Sequence, residues 1–349
     1  MSEKKPVSMI VTDIDNTISD FFNNWGAAWD TGIGKLAESR GMKKDDLYDD
    51  IRNNAGGYAR FHNFPDLLKE TPSLSLENMN RKERRRLEKS DAKICHEVAK
   101  QYHEGNKMYE GVLATLRKAK TAGTKIVLYT DSPASGAIAR MADMKYPLDL
   151  LDGLVCRADC TCEQNEVTGK YQFKKAPLQV AGATYNKYRD ELVAKLGDKL
   201  VMNAGDVWKP NTQVMENIMK THGATPETTV MVGDNIKSDG GAVRTGCHFA
   251  WQKAGSEVSD LTQEMYGKIN DKADYKLGSQ TQLETLKNLS MADPALGKLY
   301  ADKMVVLESG FKDLNKHFQF CSAEWVKYNG KVEDKAFMQA AVARRVAGR

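Results

Sequence analysis

Asp13 and Asp15 stand two residues apart where the apolar run of MIVTDIDNTISDFF (9–22) stops. A strand alternates its side chains between faces, so the two acids lean the same way. Like charges held that close are unfavourable without a positive partner. Mg²⁺, which takes one or two carboxylates together with phosphate oxygens and water, suits that place. Three other stretches carry comparable groups: Thr130 in IVLYTDSP, Lys209–Pro210 in GDVWKPNTQVMENI, and Asp234 and Asp239 in VGDNIKSD. Acids, a lysine and a hydroxyl supply what phosphoryl transfer demands, namely a nucleophile, a proton carrier and neutralisation of charge on the oxygens.

Such groups need a frame that brings them together. VSMIVTD (7–13), KIVLYT (125–130), TTVMVGD (228–234) and CHFAWQ (247–252) read as strands. Their near-continuous apolar character suits strands covered on both faces, as in a parallel sheet. EGVLATLRKAKTAG and NTQVMENIMKTHG, before the second and third strands, read as helices stopped by glycine. SDGGAVRTG reads as a short helix before the fourth strand. The alternation predicts an α/β fold with a doubly wound parallel sheet. In such sheets ligands bind outside the carboxyl ends of the strands. Three of the four features fall at such ends, and Lys209 opens the helix leading into one.

Residues 14–124 are too many for one crossover helix. Within them Phe22, Trp25, Trp29, Ile33 and Leu36 recur at spacings of three and four, the mark of an amphipathic helix whose aromatics form a core. Helical patterning continues through KKDDLYDDIRN to about residue 105. This predicts an inserted helical domain over 20–105, between core segments 1–19 and 106–288. Residues 289–349 read as a helical extension with no visible chemistry.

Composition narrows the function classes. The chain has 349 residues, 41% hydrophobic and 28% charged, with a net charge of +4. RKERRRLEKSDAK (81–93) carries seven basic and three acidic residues, so this one stretch accounts for the +4. The remainder is neutral, which argues against a protein coated for nucleic acid, and the stretch reads as a solvated helix face. VSMIV is too short for a signal core or a membrane span, so the expected location is cytoplasmic. Six cysteines suit reduced thiols. Cys156, Cys160 and Cys162 form C-x3-C-x-C with no fourth ligand nearby, although Cys95, His96 or His103 could reach it; loop thiols are favoured over a metal or a redox pair. There is no P-loop, no G-x-S-x-G, and HEVAK lacks the second histidine of a zinc protease. GIGKLA continues a helix instead of following a strand, so it is discounted as a dinucleotide loop.

In this order and strand context, Asp13-x-Asp15-x-Thr17, the strand-terminal Thr130, Lys209–Pro210 before a helix and Gly233-Asp234 with Asp239 resemble the motifs of the haloacid dehalogenase superfamily. The resemblance covers 1–19 and 106–288 and implies that 20–105 is a helical cap of the first type. It implies a phosphatase acting on a small phosphomonoester, because members that cleave carbon–halogen bonds lack the second acid that Asp15 supplies. By the same resemblance Asp13 is the nucleophile that forms an aspartyl-phosphate, and Asp15 the acid and base. Thr130 holds a phosphate oxygen, with Ser132 of TDSP as a rival, and Lys209 offsets charge. Mg²⁺ takes the Asp13 and Asp234 carboxylates and the Asp15 backbone carbonyl, while Asp239 supports the metal or orients Lys209. The 79 residues from Thr130 to Lys209 are more than such a member needs, and 156–173 reads as an extra loop or hairpin. Within 20–105, Phe21, Trp25, Arg52, Tyr58, Arg60 and His62 are candidates to touch the substrate. The competing readings are a regulatory binding protein on this fold, using 81–93 and the extension as contact surfaces, and a nucleic-acid-end phosphatase tracking the backbone with 81–93.

Overall fold

The computed structural model describes residues 4–54, 64–159, 162–164, 171–173, 182–269 and 278–329. Its strands are β1 (Lys5–Val7), β2 (Met9–Thr12), β3 (Lys125–Pro133), β4 (Gly153–Arg157), β5 (Cys162–Gln164), β6 (Tyr171–Phe173), β7 (Leu200–Asn203), β8 (Thr229–Gly233), β9 (His248–Trp251), β10 (Met304–Val306) and β11 (Phe318–Phe320). Seven form one sheet in the order β10-β9-β8-β2-β3-β4-β7, with every neighbouring pair parallel. The expected α/β fold is therefore present. β2 lies between β3 and β8, so Thr12 stands level with Leu128 on one side and Val232 on the other. Alternation sends Ile10, Ile126, Leu128, Val230 and Val232 into one apolar cluster and Met9, Val11, Val127, Tyr129 and Met231 into the other. A strand packed on both faces reads as a near-continuous apolar run, as MIVT and TVMVG do.

All four strands expected from the sequence are there, the first divided at Ser8, whose hydroxyl hydrogen-bonds that of Thr228 at 2.8 Å. The sheet also holds strands that the sequence pattern did not reveal. β4 is buried over GLVC as β2 is over MIVT, and edge strand β7 alternates between buried and exposed. Of the 156–173 stretch, Cys156 and Arg157 end β4, and β5 and β6 pair antiparallel as a hairpin. SDGGAVRTG contributes a 3-10 helix, Gly240–Thr245. After the helices Ser279–Ala292 and Pro294–Lys303, the chain does not stay helical: β10 extends the main sheet beside β9, and β11 pairs with β1. The described part of the extension, to Asn329, is thus built into the core, an outcome that helical periodicity could not show because these strands have three residues each.

Between β2 and β3 run the helices Phe21–Arg40, Lys44–Asn54 and Arg81–Gly105. Trp25, Trp29, Ile33 and Leu36 are buried with Leu47, Ile51, Phe64, Leu67, Ile94 and Val98 in a third cluster. The spacing that marked a helix thus also marked a core. Gly32 of GIGKLA lies within the first helix, where an added Cβ would come 2.4 Å from both Phe64 and Val98. Its glycine serves close helix packing. Met265, Tyr266 and Ile269, from the helix Asp260–Ile269 beyond β9, join the same cluster. In the basic stretch, Arg81 to Arg86 are all exposed, and Asn80 caps the helix by accepting from the Lys82 and Glu83 amides. No described helix is long and apolar enough to cross a membrane.

Candidate active site

β2 ends against two paired neighbours, so the residue after it emerges at the middle of the sheet's carboxyl edge. That residue is Asp13, 8% exposed. Its Oδ1 accepts from the Ile14 amide at 2.8 Å and lies 3.1 Å from the Lys209 Nζ. Both contacts fall on Oδ1. The turn that follows is closed by the Ile18 and Ser19 amides, which donate to the Ile14 carbonyl. Asn16 takes a left-handed φ of 56°, which asparagine tolerates, and its Oδ1 accepts from the Phe22 amide at 2.9 Å. The turn bearing Asp15 is thereby tied to the first inserted helix.

Lys209 comes from a separate segment. Its Nζ lies 2.6 Å from Asp239 Oδ1, and its amide donates to Asp131 Oδ1 at 3.0 Å. Asn211 then caps the helix Thr212–His222 by accepting from the Val214 amide. Gly241 lets the Asp239 loop approach this segment: a Cβ there would stand 2.2 Å from Pro210. Asp239 Oδ2 accepts from the Asn235 amide at 3.1 Å, so both its oxygens are engaged. Asp234 Oδ1 accepts from Thr17 at 3.4 Å, and its carbonyl is held by Trp251 Nε1 at 3.0 Å and Ser256 Oγ at 2.7 Å.

The electrostatics follow from this crowding. Burial, with repulsion from Asp239 and Asp15, pushes the Asp13 carboxyl up to about 8 despite the opposing Lys209. Burial and the charges of Asp239 and Asp13 raise Asp234 well above the carboxylate range. For Lys209 burial acts downward, but Asp13, Asp239 and Asp131 overcome it and hold the ammonium well above its ordinary value. Carboxylate oxygens of Asp13, Asp234 and Asp239 all lie within 4.8 Å of one another, and among the described residues this is the group of acids, histidines or cysteines that could hold a metal. An all-oxygen, anionic set fits a hard divalent cation such as Mg²⁺.

The remaining expected residues are close by but differently engaged. Thr130, 2% exposed, accepts from the Ser132 amide at 3.1 Å and keeps its own hydroxyl hydrogen to donate. Ser132 Oγ donates to Asp15 Oδ2 at 2.6 Å, so it is committed to the second acid. The Asp15 carboxylate also faces Arg140, with Nε 2.6 Å from Oδ1 and Nη2 donating to Oδ2 at 3.0 Å. Arg140 was missed from the sequence. Its signal was one charge on the otherwise apolar face of Ala134, Ala137, Ile138 and Met141.

Among the other candidates, Trp25 is buried in the inserted helices, and Arg52 is turned to Asp49 and to the Lys268 carbonyl. Tyr58, Arg60 and His62 lie outside the described residues, as does Cys160. Cys156 is fully buried in β4 among apolar neighbours, and His103 pairs with Asp143 at 2.6 Å. The first cysteine of C-x3-C-x-C is therefore a core residue and not a loop thiol.

Residues 207–275 match a hydrolase family described as HAD-hydrolase-like, a span that contains Lys209, Asp234 and Asp239. No curated protein matches the chain. Solved structures similar to it include a HAD phosphatase from Thermococcus onnurineus, with 16% identity and TM-score 0.41 over 80% of this chain and 98% of that one. A predicted phosphoglycolate phosphatase from Haemophilus somnus has 12% identity and TM-score 0.37 over 89% and 97%. A HAD-superfamily hydrolase of subfamily IA from Geobacter sulfurreducens has 13% identity and TM-score 0.33 over 77% and 99%.

Proposed function

We propose that the chain is a hydrolase of the haloacid dehalogenase superfamily, as the match over residues 207–275 supports, and a phosphatase that cleaves a small phosphomonoester through an aspartyl-phosphate. The observation that carries this reading is the meeting of Asp13, Lys209 and Asp239, from three distant segments, at the carboxyl edge of β2. Asp13 attacks phosphorus, forming the acyl-phosphate bond as the bond to the leaving oxygen breaks. Asp15 gives that oxygen its proton. In the second half Asp15 takes a proton from the water that attacks phosphorus, which frees inorganic phosphate and restores the Asp13 carboxylate. Thr130 donates its hydroxyl hydrogen to a phosphate oxygen, and the Lys209 ammonium offsets the charge of the group in transit.

Mg²⁺ would be held by the Asp13 and Asp234 carboxylates and the Asp15 carbonyl, with Asp239 supporting it and orienting Lys209; when bound it supplies further neutralisation of the phosphate oxygens. Residues 20–105 are the cap in this reading, and the small phosphorylated substrate lies between them and the sheet edge. The test is a panel of phosphorylated metabolites assayed for phosphate release with Mg²⁺ and with EDTA, together with acid quenching to trap label on Asp13. Release with Mg²⁺ and a labelled Asp13 peptide are expected. Turnover without any label on Asp13 would overturn the covalent route.

A further inference from the structure

SPASGAIARMAD (132–143) places a charge where helix periodicity calls for an apolar residue. The helix Ala134–Asp143 buries Ala134, Ala137, Ile138 and Met141, and Arg140 is buried with them at 6% exposure. An arginine in that position carries a desolvation cost that must be offset by close partners. Its principal partner is Asp15. The guanidinium meets both carboxylate oxygens, through Nε at 2.6 Å from Oδ1 and a hydrogen bond from Nη2 to Oδ2 at 3.0 Å. With Ser132 Oγ donating to Oδ2 at 2.6 Å, Asp15 is gripped from two directions. A planar fork can hold a carboxylate in one orientation, which a lysine point charge cannot do.

The same guanidinium faces the inserted helices. Arg140 Nη1 is 3.3 Å from the Tyr102 hydroxyl, and its central carbon lies 5.0 Å from the centroid of the Phe21 ring. Phe21 opens the helix by which the chain leaves the core, and Tyr102 is in the last turn of the helix by which it returns. Nearly one turn along the same core helix, Asp143 pairs with His103 at 2.6 Å and accepts from Asn106 Nδ2 at 2.8 Å. Asn24 closes the network by donating to the Tyr102 carbonyl at 2.6 Å and to Asn106 Oδ1 at 3.0 Å. Both roots of the insert are thus fastened to one helix, and the arginine among those fastenings is the partner of Asp15.

We propose that Arg140 is the positioning residue for Asp15, and that its fork ties the setting of that carboxylate to the position of the cap roots at Phe21 and Tyr102. The catalytic half of this proposal rests on the phosphatase reading. A misplaced Asp15 protonates the leaving oxygen poorly, which matters for a basic leaving group and little for a good one.

The experiment compares first-turnover release of the leaving group from phenyl phosphate and p-nitrophenyl phosphate, which are nearly the same shape. In Arg140→Lys, which keeps the charge but loses the fork, release from phenyl phosphate should fall by roughly 10²-fold and from the nitrophenyl ester by less than about tenfold. Tyr102→Phe should move the ratio of the two rates in the same direction. Equal losses on both esters, or no loss, would overturn the positioning role, and an unchanged ratio in Tyr102→Phe would remove the cap roots from it. A second measurement needs no activity: melting temperatures of Asp15→Asn, Arg140→Gln and the double variant. The double variant should melt higher than the sum of the two single losses predicts, because each single change strands a buried partner. Additive losses would show that the fork does not hold Asp15. If wild type cleaves neither these esters nor any member of the metabolite panel, the phosphatase reading falls and the catalytic half goes with it, while the melting cycle still decides the fork.

Discussion

Lys209 is a buried ammonium that faces Asp13 and Asp239, with Asp131 on its backbone amide, so its charge is set in place before any substrate arrives. Lys209→Ala should lower kcat by roughly 10²-fold or more, as loss of a preorganised electrostatic contact does. Steady-state phosphate release checks this, and an unchanged kcat would take Lys209 out of the chemistry. The acids make an opposite contribution to stability. Asp13 is pushed up to about 8 from its ordinary 3.8, first by burial. Between those values the folded protein holds a proton that the unfolded chain has released, so the site's contribution to stability falls as pH rises through that window. Lys209, raised above its ordinary 10.5, keeps its favourable contribution throughout that range and loses it only in stronger alkali. In EDTA, the urea midpoint should therefore decline more steeply from about pH 5 to about pH 8 in wild type than in Asp13→Asn. Parallel declines in the two proteins would mean that Asp13 is not the group responsible.

At the scale of elements, a close approach sets what can be changed. Gly32 sits where the Phe21–Arg40 helix meets Phe64 and Val98, and a Cβ there would stand 2.4 Å from each. Gly32→Ala should cost about 1–3 kcal/mol through overpacking, read as a drop in melting temperature with little change in kcat. An unaltered melting temperature would mean that the helices part without cost. The same glycine shows why a sequence pattern can mislead: GIGKLA matches a loose dinucleotide motif, and only its place inside a helix rules that out. The strands carrying the candidate site were legible because β2, β8 and β9 are buried at every position and β3 from Ile126 to Thr130, which leaves near-continuous apolar runs. β4, with five residues, is as long as β8, so length did not hide it; β7, β10 and β11 are three- or four-residue strands whose pairing depends on contacts distant in the chain. Of the site, the residues at strand ends could be read from type and spacing. The partners of Asp15 could not, because Ser132 and Arg140 reach it across 117 and 125 residues of chain. A buried arginine acquires its meaning only when the fold names its partner.

Taken as a whole, the molecule is fastened at one place from many directions. Met265, Tyr266 and Ile269 bind the inserted helices to the segment after β9, and the family match over 207–275 includes all three. The site likewise gathers Asp13, Asp234 and Asp239 from opposite ends of the core, so any cation held there binds only the folded arrangement. Without metal, burial and mutual repulsion oppose the charging of Asp13 and Asp234, and that opposes folding near neutral pH, where the unfolded chain would release those protons. Mg²⁺ should remove the penalty and stabilise by mass action, by about 2.7 kcal/mol at 100 times its dissociation constant. Asp234→Asn should then have two effects of opposite sign. The metal-free variant should melt no lower than wild type, because one buried acid that opposes folding is gone while the Thr17 hydroxyl can still donate to the retained amide oxygen. The rise in melting temperature on adding Mg²⁺ should shrink or vanish, because a carboxylate ligand is gone. Melting curves of both proteins with Mg²⁺ and with EDTA separate these effects. Equal Mg²⁺ shifts in wild type and variant would show that Asp234 does not hold the metal, and the acidic cluster would then be a buried network serving Lys209 alone.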